Sequence, residues 1–443
     1  MTSLHRTTTT DHDRQWPPLS IRHHNRWAAR ALWIALTSSI AWNSALADTG
    51  ETDPLPSPLR LEQVLQIAHE HRAEILAARS RARALAQRPM IVSALDDPMI
   101  FPSVDHVPYS FEGVNRSVTI EQRFPLSRVL RHRRRAAEAD SQRAGAEADK
   151  VELDVELDAA SAFLMLQERR AMAHVLREER ELAQQFLNAA TARYGAGTGG
   201  QSDALRAEIE VSRLDGARRS IAADIRSAEV MVNTSLGRPA EEPIPPLDAN
   251  ISALPPPSPD EVRLAALGGR PELRMGSAAI NRAEAEVSVM KSMYAPMAMI
   301  RTGPATTMSD GPGWMLMVGI SIPIWRGKLR AGVTESEAMV DMARADLLSM
   351  RRMVEGEALS TREQVIGSRE RYLALRDEVL PRAMQAIDPT LAGYSSGQLP
   401  LVSVIEAAQA LWSTQSELLS AQFDLGLAWA RLHRAMGDRG VTP

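Results

Sequence analysis

The sequence predicts a mainly α-helical, internally duplicated fold with a small β part. Three observations predict it. The intervals 126–237 and 324–380 contain no proline, the residue that breaks helix interiors, so each can hold a very long helix. Aromatic residues make up only 4% of the 443 residues, although large globular cores usually depend on such bulky side chains. Short motifs also recur at offsets of 198 to 200 residues, which indicates an internal repeat.

The first 47 residues are typical of an export signal. Arg26 and Arg30 precede a short apolar stretch that ends in the small-residue pattern Ala-Leu-Ala. Polar residues interrupt this stretch before it reaches the roughly 20 residues that a membrane-spanning helix needs. We therefore expect a signal peptide over residues 1–47, followed by an extended segment over 48–58.

Each half is expected to fold as a helix, a strand pair, a very long helix, a tight turn and a returning helix. Arg72-Ala-Glu recurs as Arg270-Pro-Glu, and Tyr194-Gly-Ala-Gly recurs as Tyr394-Ser-Ser-Gly. The first repeat covers 59–237, with the strand pair at 98–124, the long helix at 126–193, the tip turn at 194–201 and the return helix at 202–236. The second covers 260–437, with the strand pair at 295–325, the long helix at 327–393, the tip turn at 393–400 and the return helix at 401–436. A proline-rich linker is expected at 238–259 and a C-terminal tail at 438–443.

Hydrophobic periodicity supports both kinds of element. From Leu153 to Phe186, apolar residues follow one another in coiled-coil-like steps of three, four or seven. Two other runs alternate between apolar and polar or small residues, which is typical of strands. The alternating runs are 115–124 and 314–325, and their weaker, proline-interrupted partners are 99–109 and 297–307.

Composition and motifs exclude several functions. With a net charge of −4 and no cysteine, the chain is not expected to bind nucleic acid or to use thiolate chemistry. His69-Glu70-His71 lacks the histidine spacing of the zinc protease motif, and no Gly-x-Ser-x-Gly elbow is present. The glycine pattern at 195–200 matches a dinucleotide fingerprint, but a long helix precedes it where a strand is required. We expect no enzyme, no cofactor and no metal site.

Four strands cannot close a membrane barrel, because such barrels need about eight or more. An exported chain of this kind must share its strands or remain soluble. Three copies would supply twelve strands, and the same threefold symmetry would gather the long helices into a tube. Scarce aromatics fit such a tube, since helices packed edge to edge around a lumen rely on Ala and Leu seams.

Several motifs resemble the TolC family of outer-membrane efflux proteins. They are the segment 192–210, Leu236-Gly237, Arg270-Pro-Glu-Leu273 and Ala392-Gly-Tyr-Ser-Ser-Gly397, within a similarity that covers about 59–437. The resemblance implies a trimeric 12-stranded outer-membrane barrel that continues into a long periplasmic helical barrel. Its partners would be a periplasmic adaptor (membrane fusion protein), an inner-membrane transporter of the resistance-nodulation-division type and outer-membrane lipid. The Gln201-Ser-Asp-Ala-Leu-Arg run most resembles the heavy-metal efflux subgroup, so metal cations are the expected substrate.

By this resemblance, the two tip turns close the channel at its periplasmic end. Glycines supply the left-handed conformations that the first turn needs. One carboxylate per chain at Glu406 would form a three-carboxylate ring in a trimer, whereas an acid that offsets the helix dipole is the alternative. Asp203 is expected to cap its helix or to hydrogen-bond Tyr394. The tip-turn glycines are Gly195, Gly197, Gly199 and Gly200, and the expected tip and gate residues are Asp203, Asp388, Tyr394, Gly397, Ser403 and Glu406, of which Ser403 replaces an acid found in the family.

The membrane interface is expected at the ends of the strands. Trp314 and Trp325 bracket a strand of roughly membrane height, as aromatic girdles do. The basic run that includes Arg128 and Arg131 follows a strand, so it should lie near inner-leaflet phosphates, with a solvated face as the alternative. Methionines cluster around the second strand pair, where gap filling explains them better than soft-metal binding.

Other functions remain open at this point. A periplasmic coiled-coil adaptor would share the long helical hairpins but not two alternating strand pairs. A multidrug channel would have the same architecture as a metal channel, because a conduit need not bind what it passes. An exported hydrolase is disfavoured by the missing motifs.

Overall fold

The structure is a computed structural model that describes residues 54–105, 114–248, 251, 253–307 and 309–438. The predicted signal peptide lies outside the described residues, as do 48–53 of the predicted extended segment and 439–443 of the predicted tail. The described elements form a helical body and one four-stranded sheet. Among the described helices, none combines the length and the apolarity needed to cross a membrane.

The elements follow the same order in both halves. The first half contains α1 (Leu61–His71), α2 (Ala73–Ser93), β2 (Met99–Asp105), β3 (Asn115–Pro125), α3 (Val129–Gly195) and α4 (Gln201–Ser235). The second contains α5 (Pro259–Gly269), α6 (Pro271–Ser292), β5 (Met297–Thr307), β6 (Gly311–Ser321), α7 (Arg326–Ala374), α8 (Leu380–Ser395) and α9 (Leu401–Met436). Two short strands, β1 (Leu59–Arg60) and β4 (Leu247–Asp248), pair in parallel and tie the linker to the start of the first half.

Three helices are interrupted where the sequence predicts continuity. The first helix of each half breaks at an extended arginine, Arg72 with ψ 122° and Arg270 with ψ 120°. Arg270 precedes a proline, which disfavours helical backbone at the residue before it. The second long helix contains a π-helical turn, Leu375–Val379, just before Pro381. Since proline has no N–H to donate, the regular hydrogen-bond ladder cannot continue through this position.

The sheet is antiparallel throughout, in the order β2-β3-β5-β6, so β3 and β5 join the two halves. Its apolar side chains face outward. On β3, Val118 and Ile120 are exposed, whereas Thr119 and Glu121 are buried on the opposite face. On β6, Trp314 is 72% exposed. This pattern reverses that of a sheet in a water-soluble protein and is typical of a sheet with lipid on its outer face.

The helix α3 organises the helical body. Its first half packs between α2 and α6, and its second half packs between α4 and α9. The helix α7 packs on α6 and then on α9, and α8 packs on α9. The body therefore has two layers: a sheet-proximal layer in the order α2-α3-α6-α7 and a tip layer in the order α4-α3-α9-α8.

Where the two layers meet, a buried ion-pair network joins the second repeat to α3. The Arg270 guanidinium donates to Glu272 Oε2 from Nε (2.9 Å) and to Glu357 Oε2 from Nη2 (2.9 Å). Arg434 Nη2 donates to Glu272 Oε1 (3.0 Å) and to Asp154 Oδ1 (2.7 Å). The network thus connects α3, α6, α7 and α9. Its centre, Arg270, Glu272 and Arg434, is largely withdrawn from solvent, whereas Asp154 and Glu357 at its ends are partly exposed.

Candidate gate at the hairpin tip

Both hairpins turn through the same backbone geometry. Gly197 (φ 70°) and Gly397 (φ 78°) occupy the left-handed region that favours glycine. The Gly197 N–H donates to the carbonyl of Tyr194, and the Gly397 N–H donates to that of Tyr394, both at 3.0 Å. The turns are thus equivalent at an offset of 200 residues.

The other predicted turn glycines have separate roles. Gly195 ends α3, and a side chain there would meet nothing within 4 Å. Gly200 is the extended residue that precedes α4. A Cβ on Gly199 would lie 3.0 Å from the Cβ of Arg193, so this glycine allows the turn to fold closely over the end of α3.

Arg193 joins the two turns, a role that the sequence reasoning missed. Its Nη1 donates to the carbonyl oxygen of Tyr394 across the hairpins, and its Nη2 donates to the carbonyl of Thr198 at 3.3 Å. Its guanidinium carbon also lies 4.7 Å from the centre of the Tyr394 ring, a cation–π arrangement. The sequence signal was available, because Arg193 directly precedes the tyrosine of the first tip motif.

Tyr394 is the buried member of the predicted gate residues. It is only 3% exposed, whereas its repeat equivalent Tyr194 is 49% exposed. Among the described residues, the buried Tyr394 hydroxyl has no hydrogen-bond partner, so the expected bond to Asp203 is not formed. Burial raises the pKa of Tyr394, with Arg193 opposing and Asp203 reinforcing this effect. Asp203 is therefore near enough to act electrostatically, and it lies in the first turn of α4 behind the cap residue Gly200.

The remaining predicted gate residues do not cluster within one chain. Asp388 is exposed on α8, and Glu406 is exposed on α9. Ser403 is half-buried in the first turn of α9. Glu406 makes no hydrogen bond or ion pair with any described residue, so its carboxylate is available to solvent or to another subunit. The described residues contain no group of three or more His, Asp or Glu side chains suited to hold a metal ion.

A buried acidic cluster lies behind the tip, and nothing in the sequence pattern indicated it. Glu179 on α3 and Glu210 on α4 are 4% and 6% exposed. Arg213 pairs with Glu210 (2.5 Å), and Gln409 of α9 donates to Glu210 Oε2 (3.3 Å). One oxygen of Glu179 is buried without a partner. Burial raises the pKa of Glu179 to about 7; Arg213 counteracts this and Glu210 adds to it.

Glu179→Gln is expected to stabilise the protein at alkaline pH and to change little in mild acid. Because the folded-state pKa lies above the ordinary value of 4.5, stability falls as the pH rises from 4.5 to about 7, where Glu179 ionises. Above that range the buried charge costs about 2 kcal/mol, allowing for partial screening by water. Thermal unfolding at about pH 4.5 and about pH 8.5 measures the effect. Glu181→Gln, an exposed site on the same helix, is the control; equal shifts at both pH values would contradict the prediction.

The predicted membrane-interface residues are exposed. Trp325 is 75% exposed, and Trp314 donates from Nε1 to the hydroxyl of Thr302 at 2.7 Å. Arg128 is the residue that precedes α3, and Arg131 lies in its first turn. Neither arginine forms an ion pair with a described residue, so both remain available to an anion outside the chain.

Known proteins resemble this chain in sequence. A family model described as "Outer membrane efflux protein" matches residues 263–438, which is most of the second repeat. The outer membrane efflux protein BepC of Brucella suis biovar 1 (strain 1330) is 25% identical over 63% of this chain and 62% of BepC. The cobalt-zinc-cadmium resistance protein CzcC of Cupriavidus metallidurans is 24% identical over 92% of this chain and 100% of CzcC. The chain thus spans somewhat under two thirds of BepC but the whole length of CzcC.

The fold is shared with solved structures. CusC, whose structures concern transmembrane channel formation, superimposes with a TM-score of 0.76 at 14% sequence identity. The superposition covers 86% of this chain and 92% of CusC. The family match over the second repeat, the relatives and the shared fold together make the chain similar, in sequence and in fold, to the TolC family of outer-membrane efflux proteins.

Proposed function

We propose that the chain is one subunit of a homotrimeric channel, the passive exit duct of a tripartite efflux pump. The observation that carries the proposal is that the sheet has two open edges, β2 and β6, and an apolar outer face. Unpaired backbone groups on strand edges are costly in a membrane, so the edges must pair with another copy. Three copies of four strands give an even-numbered barrel of known size.

The helical layers support the same closure, because their outermost helices expose apolar side chains. On α2, Met90 and Ile91 are 78% and 71% exposed, and on α7 Met353 is 58% exposed. In the tip layer, Ile209 on α4 is 65% and Met384 on α8 is 56% exposed. A ring of three chains would set α2 of one copy beside α7 of the next, and α4 beside α8. This would bury the exposed apolar surface at both ends of each layer.

The proposal is tested by extracting the protein from outer membranes and measuring its oligomeric state with and without heating. Heat-resistant trimers with channel activity in planar bilayers support it. A soluble monomer would instead favour a periplasmic coiled-coil adaptor. The outward-facing apolar residues of β3 and β6 argue against an adaptor, since such residues would be exposed to water there.

Heavy-metal cations are the substrate we propose, and an adaptor and an inner-membrane transporter are the proposed partners. The support for metals is that CzcC, named for cobalt, zinc and cadmium resistance, is matched along its whole length. Solvent and toluene efflux proteins match over 53% of their length, which keeps multidrug efflux as the second candidate. Deleting the gene and comparing tolerance to metals and to drugs separates the two. We assign no catalytic step to the chain.

Glu406→Ala is expected to lower cation selectivity and to weaken block by divalent cations about tenfold. In the trimer, three Glu406 carboxylates would face one another at the closed end, and each contributes about 1 kcal/mol or less to a bound cation in water-filled surroundings. Bilayer recordings with and without a divalent salt measure both properties. Glu417→Ala is the matched control, because Glu417 is exposed on the same face of α9, about 16 Å further from the tip. If block by divalent cations were unchanged in Glu406→Ala, Glu406 would not be part of the gate.

A further inference from the structure

A cavity of about 260 Å³ lies where the base of the sheet meets the first turns of α3. We call it the collar cavity. Most of its wall is apolar and includes Leu130, Met293 and Met297. Its polar wall contains two guanidinium groups, three serines and one carboxylate, namely Arg123, Arg133, Ser127, Ser292, Ser321 and Asp96. Its volume is slightly below that of most ligand pockets, about 300–1,000 Å³, so it suits a headgroup better than a whole lipid.

The charge at the collar cavity is not balanced within the chain. Arg123 is paired with Glu121, at 3.1 Å between Nε and Oε1. Arg133 forms no hydrogen bond or ion pair with a described residue, so all five of its N–H groups are available. The first turn of α3 contains no acidic residue, although an acid there would complement the helix dipole. Asp96, the one carboxylate in the wall, therefore faces more positive charge than its single negative charge can balance.

His132, one residue before Arg133, gives an independent sign of this excess positive charge. Its Nδ1 is buried without a hydrogen-bond partner among the described residues. Burial lowers the pKa of His132, and Arg135, Arg131 and Arg128 lower it further. An imidazole whose pKa is lowered by three neighbouring arginines lies in a positive field that an external anion would neutralise.

The rim of the collar cavity continues into exposed apolar surface. Met297, in its wall, is 41% exposed, and Leu126, which flanks the wall residues Pro125 and Ser127, is 57% exposed. Ile324, next to the wall residue Pro323, is 67% exposed. A ligand that pairs with the arginine in the wall and also covers the apolar rim carries an anionic group joined to an apolar chain. Because the adjoining sheet lies at the membrane, that ligand chemistry is available in the surrounding lipid.

We propose that the collar cavity binds the phosphate-bearing headgroup of a membrane phospholipid, with Arg133 contacting the phosphate and the acyl chains lying along the exposed apolar rim. This inference rests on the outer-membrane location of the sheet but not on the conduction of any substrate. A free inorganic phosphate would satisfy the guanidinium and leave the rim exposed. A phospholipid would pair with the guanidinium and also cover the apolar rim, so it is the ligand that we propose.

Native mass spectrometry of the full-length protein, stripped of lipid in detergent, tests the proposal. Phosphatidylglycerol, a diacylglycerol with the same acyl chains and inorganic phosphate are the three probes. We expect one phosphatidylglycerol per chain, about tenfold weaker binding after Arg133→Ala, and little retention of the other two probes. Arg134→Ala is the matched control, since Arg134 pairs with Glu138 (2.8 Å) and does not line the cavity.

Three results would overturn the proposal: retention of diacylglycerol equal to that of phosphatidylglycerol, binding of phosphate alone with equal affinity, or equal losses in Arg133→Ala and Arg134→Ala. The oligomeric state and channel activity of the same preparation are read separately. A conducting trimer without a retained lipid overturns this inference alone, whereas a lipid-binding protein without channel activity overturns only the proposed function.

Discussion

Replacing Arg270 with alanine is expected to lower the free energy of unfolding by about 3–5 kcal/mol, because it removes the shared partner of two glutamates. The Arg270 side chain is only 4% exposed, and that of Glu272 is 10% exposed. Although burial favours the neutral form of Glu272, its hydrogen bonds together with Arg270 and Arg434 hold its pKa below the ordinary value. Glu272 is thus charged at neutral pH and would lose one of its two cationic partners.

The control for Arg270→Ala is the equivalent substitution in the first repeat. Arg72 is the equivalent residue of the first half, and it donates to Glu74 (3.0 Å) and to the carbonyl of Thr234 (2.9 Å). The Glu74 side chain is 58% exposed, so water can solvate it once Arg72 is replaced. Arg72→Ala is expected to cost about 1 kcal/mol. Denaturant unfolding followed by helical circular dichroism compares the variants, and equal losses would show that burial of the network does not determine its contribution.

Gly269→Ala is expected to destabilise the protein by about 3 kcal/mol through backbone crowding. A Cβ on Gly269 would lie 2.6 Å from the carbonyl oxygen of Met436 and 3.2 Å from that of Gly437. Both obstacles are backbone atoms, and Gly437 itself has φ 73°, so neither segment can move aside cheaply. The close approach fixes the end of α9 against the end of α5, beside the ion-pair network.

Gly268→Ala is the matched control for this contact. A Cβ on Gly268 would meet nothing within 4 Å, and alanine is favoured over glycine within a helix by up to about 1 kcal/mol. The changes in stability caused by the two substitutions should therefore have opposite signs. Thermal unfolding of the purified proteins measures the difference. If Gly269→Ala were as stable as Gly268→Ala, the close packing of these helix ends would not contribute to stability.

Much of the architecture could be predicted because it depends on local features of the chain. The missing prolines indicate the long helices, and the alternating runs indicate the strands. The interruptions could not be predicted in the same way. The break at Arg72 has no proline beside it, and its guanidinium finds its carbonyl partner on Thr234, 162 residues away. Such a contact exists only once the repeat has folded.

In the candidate site, too, some residues could be predicted from local sequence and others depend on tertiary packing. The positive-φ residues Gly197 and Gly397 follow from their turn motifs, whereas Glu179 does not stand out within a helix rich in charged residues. Its burial results from the packing of α3 between α4 and α9, which no local pattern encodes. Arg193 differs from Glu179, because its motif was visible and only its partner on the other hairpin was not.

The π-helical turn at Leu375–Val379 bears on how the two halves diverged. The offset between them is 198 residues at Arg72 and Arg270 but 200 at Tyr194 and Tyr394, so the second long helical segment is two residues longer than the first. Each residue inserted into an α-helix rotates everything beyond it by about 100°, and a π turn takes up one such residue. Halves of equal length would give the proposed trimer a pseudo-sixfold tip. The extra length would leave the tip of the proposed trimer with threefold symmetry only, so that alternate hairpins could evolve separate roles.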